Sequence, residues 1–215
     1  MPSFTELLGP VRVIPVITIP EPAAAVPLAK ALVDGGLPLL EITLRTEAGL
    51  GAISAINEAV PGAIVGAGTV ITAQQYAQVS EAGARFVVSP GSTPQLVQAA
   101  EAGPGLLPGA VTASEIMGLL EAGITTMKFF PAASSGGVAA LKGLSGPFPQ
   151  VKFCPTGGIT LETAASYLEL SNVICVGGSW MVPPGLVAAG DWEAIRALAA
   201  ETAARTQAAA EPAAS

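Results

Sequence analysis

A chain of 215 residues, 51% apolar and only 12% charged, is the length of one domain and too apolar to stay disordered. A net charge of −7 with nine basic residues excludes a nucleic-acid surface, which needs clustered Lys and Arg. The mean hydropathy of +0.60 predicts no membrane span, because Gly, Pro or a charge breaks every apolar run well short of the ~20 residues required.

The start of the chain, Met1 to Glu6, has neither the basic nor the apolar region of a secretory signal, and a cytoplasmic location is expected. Phe4, Leu7 and Leu8 at helical spacing predict a short packing helix. From Val11 to Arg205, strand-like runs alternate with alanine-rich helical patterns. The strand windows are Val11–Ile19, Leu37–Arg45, Ala63–Val70, Phe86–Gly91, Gly105–Ala110, Thr126–Ala132, Val151–Gly158 and Val173–Trp180. Helical patterns such as Pro22–Asp34, Ala73–Ala82, Thr93–Ala102, Thr112–Ala122 and Leu161–Leu170 lie between them. This βαβ alternation predicts a parallel sheet, and eight such units predict an α/β fold of the (β/α)8 TIM-barrel type over residues 1–205. Residues 206–215 read as a loose tail. The fifth window is short and contains Pro108, which leaves an open doubly wound sheet as the alternative. Cys154 and Cys175 lie inside apolar strands and read as reduced core thiols.

The chain has no histidine, which excludes His-based triads, His-ligated zinc and facial-triad iron. Proton transfer falls to Glu, Lys, Tyr, Cys or water, and no metal is expected. In barrels, catalytic groups sit at the C-terminal ends of strands. Arg12, Arg85 and Lys152 stand at or before strand starts and are read as bottom-face ion pairs. In Leu39-Leu-Glu-Ile-Thr-Leu-Arg45 the period of two puts Glu41, Thr43 and Arg45 on one face, toward the lumen. The same alternation turns Lys128 inward between Met127 and Phe129. Strands two and six are both even-numbered, so Glu41 and Lys128 share a layer. A buried lysine favours the neutral amine, a nucleophile toward carbonyls, and Schiff-base chemistry is its natural use. A structural Lys128–Glu41 ion pair is the alternative. Pro155-Thr-Gly-Gly-Ile159 and Val176-Gly-Gly-Ser-Trp180 close adjacent strands and predict backbone N–H groups for a phosphate. Gly66-Ala-Gly68 lacks the third glycine and the acidic residue of a dinucleotide site, and no NAD or other cofactor is expected.

Six ordered motifs carry a resemblance over about Val11 to Arg205: Leu40-Glu-Ile-Thr-Leu-Arg-Thr46, Val65-Gly-Ala-Gly-Thr-Val70, Val88-Ser-Pro-Gly91, Lys128-Phe-Phe-Pro-Ala132, Phe153-Cys-Pro-Thr-Gly-Gly-Ile159 and Gly177-Gly-Ser-Trp180. Together they resemble the 2-keto-3-deoxy-6-phosphogluconate aldolase and 4-hydroxy-2-oxoglutarate aldolase family. The resemblance implies a homotrimer of (β/α)8 barrels in the Entner–Doudoroff pathway. It implies Lys128 as Schiff-base former and Glu41 as general acid/base. Arg45 and Thr69 match binders of the pyruvoyl carboxylate, and Pro90 and Phe130 match pocket walls. Thr156, Gly157, Gly158, Gly178 and Ser179 match the phosphate end. Ala132-Ala-Ser-Ser135 departs from the pattern, since many relatives carry a glutamate at position 133, and that loop receives no role. The competing expectations are a 2-keto-3-deoxy-6-phosphogalactonate aldolase and a non-covalent barrel that binds or isomerises a phosphometabolite.

Overall fold

The β1 segment Val13–Ile17 reads Val-Ile-Pro-Val-Ile and is buried at every position. Continuous apolar runs of this kind belong to parallel strands covered on both faces. A computed structural model describes residues 4–208 and contains eight such strands. After β1 come β2 (Leu39–Thr43), β3 (Ile64–Gly68), β4 (Phe86–Val88), β5 (Gly105–Leu107), β6 (Thr126–Phe129), β7 (Lys152–Pro155) and β8 (Val176–Gly178). The helices are α1 (Phe4–Leu8), α2 (Ala25–Asp34), α3 (Ala48–Ala59), α4 (Ala73–Glu81), α5 (Pro94–Ala99), α6 (Ala113–Glu121), α7 (Gly137–Leu144), α8 (Leu161–Leu168), α9 (Pro184–Ala189) and α10 (Trp192–Ala208).

Hydrogen bonding runs β5-β4-β3-β2-β1-β8 in one parallel sheet and β6-β7 in another. Isolated bridges join the two: Gly109 with Lys128 on one side, Phe153 with Val173 and Thr156 with Gly177 on the other. The barrel is therefore closed, and the open doubly wound alternative falls. The weak fifth strand contributes despite Pro108, because a proline still has a carbonyl. Lys128 N–H donates to Pro108 O at 2.8 Å, and Ala110 N–H to Lys128 O at 2.9 Å.

The core divides in two. A large cluster fills the space between strands and helices. A smaller one, with Ile14, Leu39, Phe86, Val88, Leu107, Cys154 and Cys175, fills the lumen, and Phe4 and Leu8 of α1 close it from below. Phe4 meets Phe86 edge-to-face at 5.7 Å, which gives the expected N-terminal helix its purpose as a plug. Both cysteines are free and buried, as their apolar strands imply.

Two expectations are corrected. Arg12 and Lys152 do not form bottom-face ion pairs: Arg12 Nη2 donates to Leu168 O at 3.4 Å and Lys152 Nζ to Ser171 O at 2.8 Å. Arg12 thereby serves the last residue of α8, where carbonyls lack helical partners and favour cations, and Lys152 serves a carbonyl in the turn that follows. Arg85 likewise joins none of the ion pairs among the described residues. The 205/206 boundary also moves, since α10 continues to Ala208. Thr206 is buried, and its hydroxyl donates to Thr202 O at 2.8 Å. The rest of the expected tail, 209–215, lies outside the described residues.

The ring of Phe86 occupies the space a side chain at position 66 would need, so the lumen floor depends on that one ring against Gly66 and Phe4. Phe86→Ala is expected to lower stability by about 3–5 kcal/mol, read as the urea unfolding midpoint. A loss under about 1 kcal/mol would show that the floor collapses freely onto the gap.

Candidate active site

Register places the two chemically active side chains opposite one another. Glu41 on β2 pairs with Val16 on β1 and Gly66 on β3. Lys128 on β6 pairs with Cys154 on β7. Across the lumen, Lys128 Nζ donates to Glu41 Oε1 at 3.1 Å and to Oε2 at 3.5 Å. Glu41 is 3% and Lys128 4% exposed, so water competes little for either charge. Two charges removed from water gain little net stability from each other, and removing one leaves the other uncompensated. Such a pair is suited to moving a proton between its members. Space for the carboxylate comes from Gly68, where a Cβ would overlap Glu41. Above the amine, the Phe130 ring centroid lies 5.2 Å from Nζ.

The strands end earlier than the sequence windows, and the residues left over form the rim. Arg45 stands past the end of β2 and Thr69 past the end of β3, and Arg45 Nε donates to Thr69 Oγ1 at 3.1 Å. Thr69 has φ 61°, a left-handed conformation that a β-branched residue adopts only under strain, at a cost of about 1–3 kcal/mol. Strain of this kind collects at ligand-binding positions.

Arg45, Phe130, Thr156, Gly157, Gly158, Gly178 and Ser179 line a single cavity of about 270 Å³, together with Val16, Ile159 and Trp180. The two glycine-rich segments therefore meet as expected. Gly157 and Gly158 have φ of 97° and 74°, which side-chain-bearing residues rarely adopt. The α8 N-terminus is capped by its own residues, Thr160 and Thr163 in a capping box. The backbone of the preceding loop, rather than the helix end, is what faces the cavity. Among the described residues lining it, Arg45 alone carries a positive charge.

Other placements differ from the sequence reading. Thr156 is buried, and its hydroxyl faces Gly177 and lies 3.5 Å from Cys154 O, so it points down the lumen rather than along the loop. Ser179 Oγ donates to Val16 O at 2.8 Å and its carbonyl accepts from Val182 N–H at 3.0 Å, which leaves its backbone N–H for any ligand. Pro90 lines a neighbouring cavity with Ile71 and Leu96, and its carbonyl occupies the space a Cβ at Gly109 would take, beside the bridge that holds Lys128. Gly178 lines the cavity, and a Cβ there would meet the Trp180 ring, so the space this glycine leaves on its side-chain face is filled by an indole. Trp180 itself had no assigned role. Its signal was a glycine two residues before a large aromatic, which spacing alone does not turn into a contact. The loop after β6 also docks on the site: Ala132 N–H donates to Thr156 O at 2.8 Å and Ala133 N–H to Gly157 O at 3.0 Å.

Comparison with known proteins agrees with this geometry. The profile of the family described as KDPG and KHG aldolase, KDPG being 2-keto-3-deoxy-6-phosphogluconate, matches residues 5–198. The KHG/KDPG aldolase of Escherichia coli (strain K12) is 53% identical over 200 residues, 93% of this chain and 94% of the relative. This chain belongs to the KDPG and KHG aldolase family. Two solved members show the fold and two kinds of ligand. The Legionella pneumophila KDPG aldolase, with pyruvate captured at low pH as a covalent carbinolamine intermediate, superposes with a TM-score of 0.87 at 47% identity, covering 89% of this chain and 94% of that one. The Zymomonas mobilis ZM4 aldolase, with 3-phosphoglycerate, gives 0.86 at 49% identity, covering 93% and 94%.

The fit of Glu41 against Gly68 is testable without any substrate. Gly68→Ala overpacks the lumen and is expected to cost roughly 1–3 kcal/mol, lowering the thermal midpoint. An unchanged midpoint would show that the carboxylate swings clear of Lys128 at no cost.

Proposed function

We propose that this chain is a class I aldolase that splits 2-keto-3-deoxy-6-phosphogluconate into pyruvate and D-glyceraldehyde 3-phosphate through a Schiff base on Lys128. The observation that carries the reading is the buried contact of Lys128 with Glu41 at 3.1 Å, with the amine 5.2 Å from the Phe130 ring that walls a cavity together with the two glycine-rich loops.

The steps follow from the groups present. Glu41 takes a proton from the Lys128 ammonium, the free amine adds to the C2 ketone, and proton transfer from nitrogen to oxygen gives a carbinolamine; Glu41 then returns its proton to the C2 hydroxyl, which leaves as water as the iminium forms. The iminium is an electron sink. Removal of the C4 hydroxyl proton then breaks the C3–C4 bond, and the electron pair flows into the iminium to leave an enamine. Glyceraldehyde 3-phosphate departs, the enamine is protonated at C3, and water hydrolyses the iminium to free pyruvate and the amine. Because the iminium withdraws the electrons, this sequence needs no metal and no cofactor. Arg45 and Thr69 are assigned to the carboxylate, Phe130 and Pro90 to the walls, and Thr156, Gly157, Gly158, Gly178 and Ser179 to the phosphate. The strained Thr69 and its bond to Arg45 support the first assignment, and the left-handed Gly157 and Gly158 support the last. The position of Pro90 supports a role behind the wall, bracing Gly109 and the Lys128 strand.

Mere binding is disfavoured by the same pair, which proton transfer needs and binding does not, and an isomerase is disfavoured by the family match and by the covalent carbinolamine held by the Legionella relative. The gluconate configuration is favoured over the galactonate by the descriptions of the family and of the relatives. In this reading the enzyme is a cytoplasmic homotrimer of the Entner–Doudoroff pathway, as its family resemblance implies. Among the described residues no helix is long and apolar enough to cross a membrane.

The purified chain is expected to release pyruvate from the phosphorylated gluconate faster than from its galactonate epimer, with EDTA without effect. Activity lost to EDTA and restored by a divalent ion would contradict the class I mechanism. Glu41→Gln keeps size but cannot accept a proton, and should lower kcat by roughly 10² to 10⁴ while pyruvate still binds. A variant with kcat near the parent's and only a raised KM would make Glu41 a binding residue.

A further inference from the structure

Trp180 forms part of the cavity wall, yet its anchor lies on the last helix, outside the site. Its indole Nε1 donates a 2.9 Å hydrogen bond to Thr202 Oγ1. Thr202 belongs to α10, is 0% exposed and does not line the cavity. It is itself held in place, since its carbonyl accepts the Thr206 hydroxyl at 2.8 Å. The other end of the indole fills the space over Gly178, where no Cβ could fit. Gly178 pairs with Pro15 of β1, and the next residue, Ser179, is tied to Val16 O at 2.8 Å. The β8 wall of the cavity is thus pinned twice, by Ser179 to β1 and by Trp180 to α10.

An indole N–H can only donate, and the Thr202 hydroxyl is the acceptor it has among the described residues. Without the Thr202 oxygen the ring must either keep a part-buried donor unsatisfied or turn to find water. Turning lifts it off Gly178 and removes one of the two pins. We propose that Thr202 is a positioning residue for the phosphate-binding wall: through Trp180 it sets where Gly178 and Ser179 stand relative to the Gly157–Gly158 loop. The inference rests on the assignment of this cavity to the substrate phosphate.

The test compares Thr202→Val, which removes the hydroxyl at nearly constant volume, with Thr202→Ser, which keeps it. KM and kcat are measured for the phosphorylated sugar acid and for unphosphorylated 2-keto-3-deoxygluconate. The valine variant is expected to raise KM for the phosphorylated substrate roughly 5- to 30-fold, the span of one lost buried hydrogen bond. Its kcat/KM for the unphosphorylated substrate should stay within about twofold of the parent, and serine should restore the parent's behaviour. Trp180→Phe, which keeps a ring but has no donor, should likewise raise KM for the phosphorylated substrate, and joining Thr202→Val to it should add nothing further. This second variant also answers if Thr202→Val does not fold. An unchanged KM, an equal loss on both substrates, or a serine variant that behaves like valine would overturn the proposal. A parent enzyme that does not prefer the phosphorylated substrate would overturn the phosphate assignment, and this proposal with it. A preference kept by the valine variant overturns the positioning role alone.

Discussion

The buried contact between Lys128 and Glu41 is the constraint around which the rest of the molecule is arranged. Two opposite charges at the centre of a barrel lose most of their hydration, and their mutual attraction roughly offsets that loss without adding stability. Everything near them serves to hold the pair in place. The even-numbered strands β2 and β6 bring the side chains into one layer. Small residues at 66, 68 and 177 give room on the lumen face, to the Phe86 ring, the Glu41 carboxylate and the Thr156 hydroxyl in turn. Below, Phe86 and the α1 plug keep water from entering from the bottom. At the other end, the Phe130 ring stands between Lys128 and the cavity it helps to line.

Upward, the fold changes character. The strands stop after a few residues, and the chain adopts conformations that a regular sheet would not use: left-handed Thr69, left-handed Gly157 and Gly158, and an indole folded back on Gly178. At Thr69 this costs free energy locally, whereas glycine makes the conformation accessible at 157 and 158, and neighbouring groups hold each of them in place. Thr69 is fixed by Arg45, Gly157 by Ala133 N–H, Ser179 by Val16 and Trp180 by Thr202. A stable lower half and a strained, hydrogen-bonded upper rim are the usual division of labour in this architecture.

Much of this was legible in the sequence, for physical reasons that differ from residue to residue. A period of two along β2 and β6 is enough to place Glu41 and Lys128 in the lumen, because alternation in a strand is geometric. Parallel pairing follows from the βα alternation, and even the proline-bearing fifth strand closes through its carbonyls. The carboxylate-binding role proposed for Arg45 rests on family resemblance, since spacing does not name a ligand. Other features depend on contacts between residues distant in the chain. Nothing local says that Arg12 reaches the last carbonyl of α8, that Lys152 reaches the turn after it, that Pro90 packs against Gly109, or that Trp180 reaches Thr202. The reading of Gly178 was incomplete for the same reason: a glycine beside a site shows that space is needed, not which group fills it.

The central claim, that the amine of Lys128 is the nucleophile, is tested most directly by trapping it. The enzyme is incubated with pyruvate and sodium borohydride, digested, and mapped by mass spectrometry. The account predicts reductive modification at Lys128 with matching loss of activity. Modification at Lys30, Lys142 or Lys152 instead, or full activity with no modification, would contradict it.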